Sequence, residues 1–187
     1  MPQLVDILDL SLFGVGPAKT FQELEAEIAN GESLIIWDAD RPIRLVRVVC
    51  VHVFSHTGEQ LVEDRQEFTD GRVRRRGMTG VSEKLKVGEA PLEGAKRALT
   101  EELGIDRELT LESLGESWRE RLSTSYPGLL SRYATYAFRV TLPKWLYQPI
   151  YIEQQASKRT IFQWRAANCL PNPAFPHPDS SPEGEGL

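Results

Sequence analysis

The stretch GEAPLEGAKRALTEELGI, residues 88–105, is where a reading of this chain begins. Pro91 suits a first helical position, where a missing N–H costs nothing, and Gly104 suits the position just past a helix end, so a helix is expected over Pro91–Leu103. At about 100° per residue, Leu92, Ala95, Leu99 and Leu103 share one face and are expected to bury it. Glu102 projects near the edge of that face and Glu101 lies further round. Ala98 and Gly94 line the same flank one and two turns earlier. An ionised carboxylate beside a core face is costly unless something compensates it. Two carboxylates above small residues make a concave, anionic surface suited to a hard divalent cation such as Mg²⁺. Arg97 lies four residues from Glu93 and four from Glu101, a spacing at which it pairs with either and holds Glu101 in one rotamer. A solvated polar face at the end of an amphipathic helix explains the same residues, and from the helix alone both readings stand.

Working outward, Thr20 and Glu23 have the spacing of a capping box, Leu24 and Ile28 continue an apolar face, and Gly31 is placed to end a short helix. LIIW and IRLVRVVCVHVF are rich in β-branched residues and are separated by the turn signal DADRP, so two strands are expected, the second (residues 43–54) central in a sheet. HTGE then leads into QLVEDRQEFTDGRVRRR, two strand candidates joined at the two-residue hairpin signal Asp70-Gly71. Beyond the helix, LTLESLGESWRERLST and SRYATYAFRVTL read as strands flanking the loop SYPGLL, and TIFQWRA as a last short strand. Residues 171–187, PNPAFPHPDSSPEGEGL, are dense in Pro, Gly, Ser and acids and are expected to be a flexible tail. The chain divides on this reading into an N-terminal extension with one helix (1–39), a main domain (40–170) and the tail (171–187).

The bulk numbers exclude some functions. In 187 residues, 41% are hydrophobic and 26% charged, ordinary for one soluble domain with trimmings. A net charge of −5 and a pI near 5.3 argue against general binding to DNA or to a membrane surface, both of which attract basic proteins. Cys50 and Cys169 lie far apart and read as packing residues in a reducing compartment. The start, MPQLVDILDLSLFG, has neither a basic segment nor a long apolar run, so no signal peptide or membrane span is expected and the location expected is cytoplasmic.

Several residues outside the helix invite a functional reading beside a plain one. Arg72, Arg74 and Arg76 fall on one face of a strand by alternation, where they either clamp a diphosphate or serve as charges on an exposed edge. His52 sits inside an apolar strand as a core histidine, and His56 and His177 have no zinc-ligand spacing with it. Trp118 and Tyr126 offer rings on which a base stacks, with packing as the plain alternative.

Residues 83–105 resemble the signature of the Nudix family: Gly, five residues, Glu, seven residues, Arg-Glu, an aliphatic residue, any residue, Glu-Glu, any residue, Gly and an aliphatic residue. Glu89, Arg97, Leu99, Glu101, Glu102, Gly104 and Ile105 match seven of its nine specified positions. The resemblance extends over about residues 40–167 and implies an α/β fold, a Nudix-type α/β/α sandwich with a mixed sheet. It further implies hydrolysis of a diphosphate linkage in a nucleoside diphosphate joined to another moiety, with Mg²⁺ or Mn²⁺ as cofactor. Under it Glu101 and Glu102 are metal ligands, Arg97 orients them, and Glu89, Arg97 and Glu101 form the catalytic set. The family also draws a carboxylate from beyond the signature, and Glu153 in YIEQQ is the first choice over Glu116 and Glu120, with an exposed loop glutamate as the plain reading. The expected partner is a nucleoside-diphosphate-type small molecule, with a homodimer left open. Two positions depart. Glu83 stands where the signature has its first Gly, and Ala98 replaces the Glu that follows Arg97, so weaker metal binding is expected. A Nudix-fold module that binds a nucleotide or RNA without hydrolysing it is the alternative.

Overall fold

The computed structural model describes residues 3–166; the expected tail, Cys169 and His177 lie outside the described residues. Two α-helices, α1 (Phe21–Ala29) and α2 (Pro91–Leu103), accompany nine strands. The strands are β1 (Leu34–Asp38), β2 (Arg41–Phe54), β3 (Glu59–Phe68), β4 (Val73–Arg74), β5 (Val81–Lys84), β6 (Glu112–Leu122), β7 (Leu130–Thr141), β8 (Ile150–Gln154) and β9 (Lys158–Ala166). Their hydrogen-bonded order is β6-β7-β2-β3-β9-β8, with β1 and β5 also paired to β2 and β4 to β3. The chain is thus an α/β protein with a mixed sheet, as expected. Among the described residues no helix is long and apolar enough to cross a membrane.

The fold separates into two compact units. The first comprises residues 3–48, 84–90 and 116–135. Its helix α1 starts as the capping box requires: the Glu23 N–H donates to Thr20 Oγ1 at 3.2 Å, and the Thr20 N–H donates to Glu23 Oε2 at 2.8 Å. The helix buries Leu24 in a cluster with Leu8, Tyr126 and Leu129. It also buries Glu27, whose carboxylate receives Arg44 Nη2 at 2.6 Å, Lys19 Nζ at 2.8 Å and Lys84 Nζ at 3.0 Å. Burial opposes ionisation of Glu27, but these three cations outweigh it and hold the carboxyl far below its ordinary range. Tyr126 is fully buried in this unit, stacked on Phe13 with Arg44 over its ring, so the plain reading of that residue holds.

The second unit comprises residues 49–83, 91–115 and 136–166. Strand β3 pairs antiparallel with β9 from Glu59↔Ala166 to Phe68↔Lys158, with an irregularity between Glu63 and Arg65, and β9 pairs antiparallel with β8. The Asp70-Gly71 signal does make a hairpin, but of a wider kind than the two-residue turn expected. The Phe68 N–H donates to the Arg72 carbonyl, the Gly71 N–H donates to the Phe68 carbonyl, and the strand beyond is only two residues long. Two strands escaped the sequence reading. β5 carries Glu83, and β8 carries Glu153, for which a loop position was the plain reading. In β8 only Tyr151 is buried, so no clean apolar alternation marks it. Segment 78–80 runs along β3, with the Gly80 N–H donating to the Leu61 carbonyl.

Candidate functional site

Helix α2 has the bounds expected of it, and Gly104 follows at φ +67°, in the left-handed region that glycine adopts without strain. Its buried face consists of Gly94, Ala95, Ala98, Leu99 and Leu103. Leu92, expected on that face, is 41% exposed in the first turn. Ala98 is fully buried, Glu102 is partly buried and Glu101 is exposed. Arg97 Nη1 donates to Glu101 Oε2 at 2.9 Å, the pairing expected from the four-residue spacing. The same nitrogen lies 3.9 Å from Glu83 Oε1 on β5.

Glu102 is the electrostatic centre of this region. Burial is the largest influence on its carboxyl, followed by the negative charges of Glu153 and Glu83, and together they push its pKa up to about 8. Lys158 and Arg76 oppose the shift without cancelling it. Glu153, on β8 opposite Thr160 of β9, accepts from Thr160 Oγ1 at 2.9 Å and from Gln155 Nε2. Strand pairing therefore brings Glu153 into the electrostatic range of Glu102, and β5 does the same for Glu83. The sequence reading took Glu83 only as a departure from the signature; the available signal was that a carboxylate is gained at one signature position and lost at another.

Glu89 belongs to the first unit, where its carboxylate accepts the Lys86 N–H at 2.8 Å. Glu120 pairs with Arg132, and Glu116 accepts the Trp118 indole N–H at 3.3 Å, leaving Trp118 53% exposed. The shared face proposed for Arg72, Arg74 and Arg76 does not form, because β4 ends at Arg74. Arg76 instead makes a two-pronged pair with the buried Glu63, and Arg72 pairs with Asp70 at 2.7 Å. His52 is a satisfied core histidine, its Nδ1 3.2 Å from Gln60 Nε2. Burial pushes the Cys50 thiol up to about 12, so it is an inert packing residue.

Among the described residues no three carboxylate, imidazole or thiol groups converge tightly enough to cage an ion as they stand. The chemistry of the donor set nonetheless suits a hard divalent cation. The charges of Glu153 and Glu83 act on the partly buried Glu102, whose pKa they and burial push up to about 8, and a cation would relieve that repulsion.

No family model and no curated protein matches the chain. Solved structures do resemble it. The mutator MutT protein of Bacillus halodurans is 20% identical, with 65% of this chain and 68% of that one covered at a TM-score of 0.42. The NUDIX domain of Shewanella oneidensis NrtR, solved with ADP ribose, is 13% identical over 75% and 80% of the two chains at 0.44. The Ap4A hydrolase of C. elegans is 14% identical over 53% and 70% at 0.35. The solved structures that this chain resembles thus include Nudix hydrolases, and at TM-scores below 0.5 the chemistry rests on its own residues.

Proposed function

We propose that this chain is a Nudix-type hydrolase that cleaves a diphosphate linkage in a nucleoside diphosphate joined to another moiety, with Mg²⁺ or Mn²⁺ bound by Glu102, Glu153 and neighbouring carboxylates. The observation that carries the reading is the match of seven signature positions on and around a helix whose Glu102 is partly buried and acted on by the charges of Glu153 and Glu83. The bound cation would neutralise charge on the bridging phosphate oxygens and orient water. Arg97 holds Glu101 on the rim of the helix end, and Thr160 fixes Glu153 on β8. Glu102, once it gives up its proton, is an acceptor at the edge of the apolar face. Lys158 and Arg76 supply positive charge on the same side, although Glu63 already neutralises much of Arg76. Cys50, buried and unpaired, accords with a reducing compartment such as the cytoplasm.

The test is a panel of dinucleoside polyphosphates, nucleotide sugars and ADP ribose, assayed with Mg²⁺ or Mn²⁺ for release of AMP or another nucleoside monophosphate. Metal-dependent release that Glu102→Gln abolishes is the expected result. Ala98 favours a second reading, a nucleotide-binding module without turnover. Tight nucleotide binding with no product from any member of the panel would establish that reading.

A further inference from the structure

We propose that Lys158 is the side chain that receives a phosphate of the substrate, its ammonium held in place by the buried amide of Gln66. The proposal rests on the hydrolase reading for the identity of the ligand and adds to it the residue that binds the diphosphate.

Sheet register assembles the site. Gln66 of β3 pairs with Thr160 of β9, and Thr160 pairs with Glu153 of β8, so the three stand in a row on one face. Lys158 lies two residues before Thr160 and shares that face. Its backbone is fixed by the tight connection from β8, where its carbonyl accepts the Gln155 N–H at 2.8 Å. With the amide oxygen of Gln66 turned to its donors, it accepts from Lys158 Nζ at 3.3 Å and from Arg76 Nη2 at 2.9 Å. These two cations differ in what balances them. Arg76 makes its two-pronged pair with Glu63, whereas among the described residues no carboxylate lies within ion-pair distance of Lys158 Nζ. An ammonium carries three donors, and a partly buried one with a single neutral acceptor and no counter-charge in contact costs stability. A phosphate supplies both the missing charge and the missing acceptors. The charges of Lys158 and Glu153 both act on Glu102, and α2 packs against β8. A phosphate held by Lys158 therefore lies on the side of the sheet where α2 presents Glu102.

The experiment titrates inorganic pyrophosphate into the full chain by calorimetry, once with Mg²⁺ and once with a chelator. The variants are Lys158→Met, Lys158→Arg and, as a control for net charge, Lys144→Met at an exposed lysine of the same unit. Lys158→Met is expected to weaken binding about tenfold or more and to flatten its dependence on salt. Lys158→Arg, which keeps the charge, should stay within about threefold of the parent, and Lys144→Met should match the parent. Without ligand, Lys158→Met should melt at the parent's temperature or above, because an unbalanced charge is gone; a lower melting temperature makes the ammonium a structural group and overturns the proposal. Unchanged affinity in Lys158→Met, or equal weakening in Lys144→Met, overturns the role of Lys158 and leaves hydrolysis to be judged on the substrate panel. Binding that Lys158→Met weakens, in a chain that releases no nucleoside monophosphate from the panel, keeps the phosphate site and overturns the hydrolase reading. A parent chain that binds no pyrophosphate under either condition overturns the site itself.

Discussion

At the scale of single residues, Glu102 dominates the energetics of the site. Its folded pKa of about 8 exceeds the ordinary 4.5, so between those values the folded state binds more protons than the unfolded one. Stability from this group is therefore fully present below about pH 4.5 and is lost as pH rises through about 8, a change on the order of a few kcal/mol. Without metal, denaturant unfolding should show that decline, and Glu102→Gln should flatten it while leaving the protein as stable as the parent or more so near pH 8. A clear loss of metal-free stability in Glu102→Gln would instead give Glu102 a structural role. Divalent-ion affinity should rise over the same pH range, because the ion displaces a proton. Glu101 is exposed and pairs with Arg97 one turn back on its own helix, so Glu101→Gln should change stability by less than about 0.5 kcal/mol.

At the scale of elements, the approach to β5 and the seating of α1 each depend on one residue. Gly80 has φ +83°, and a Cβ there would lie 2.1 Å from the Val51 carbonyl oxygen. The obstacle is backbone and cannot rotate away, so Gly80→Ala should cost about 3 kcal/mol or more and disturb the segment that delivers Glu83. Chemical denaturation would measure the cost, and a loss below about 1 kcal/mol would show that the strand shifts freely. In α1, Glu27 neutralises Arg44, whose side chain is only 3% exposed. Glu27→Gln removes the negative charge that faces that guanidinium and both lysines and should cost about 3–5 kcal/mol. Because the Glu27 carboxyl is held far below its usual range, its contribution is present above the ordinary carboxylate pKa and is lost as pH falls below it. Acid unfolding should accordingly begin at higher pH in chains weakened elsewhere in the first unit.

At the scale of the whole molecule, a cation that binds only the folded chain must raise its stability by mass action. Mn²⁺ at about 100 times its dissociation constant should add roughly 2.7 kcal/mol, a rise of roughly 5–10 °C in Tm for a chain of this size. Differential scanning calorimetry with Mn²⁺, and with Ca²⁺ for comparison, checks this, and an unchanged Tm at millimolar Mn²⁺ would count against any site of useful affinity. The net charge of −5 adds that DNA should not compete for this surface.

What the amino-acid order alone determined is local. Pro91 and Gly104 bounded α2, Thr20 and Glu23 began α1, and Asp70-Gly71 placed a turn, because caps and turns act within a few residues of themselves. The signature likewise pointed to Glu101 and Glu102 as a pair worth explaining. Only the tertiary structure decided which distant groups act on them. Glu153 and Glu83 come into range of Glu102 through strand pairing, and strand register depends on packing along the whole sheet rather than on neighbours in sequence. The same reason covers the arginines after the turn: alternation suggested a phosphate clamp, but β3 presented Glu63 to Arg76 across the hairpin, and a buried carboxylate close at hand binds a guanidinium in preference to leaving either charge unpaired.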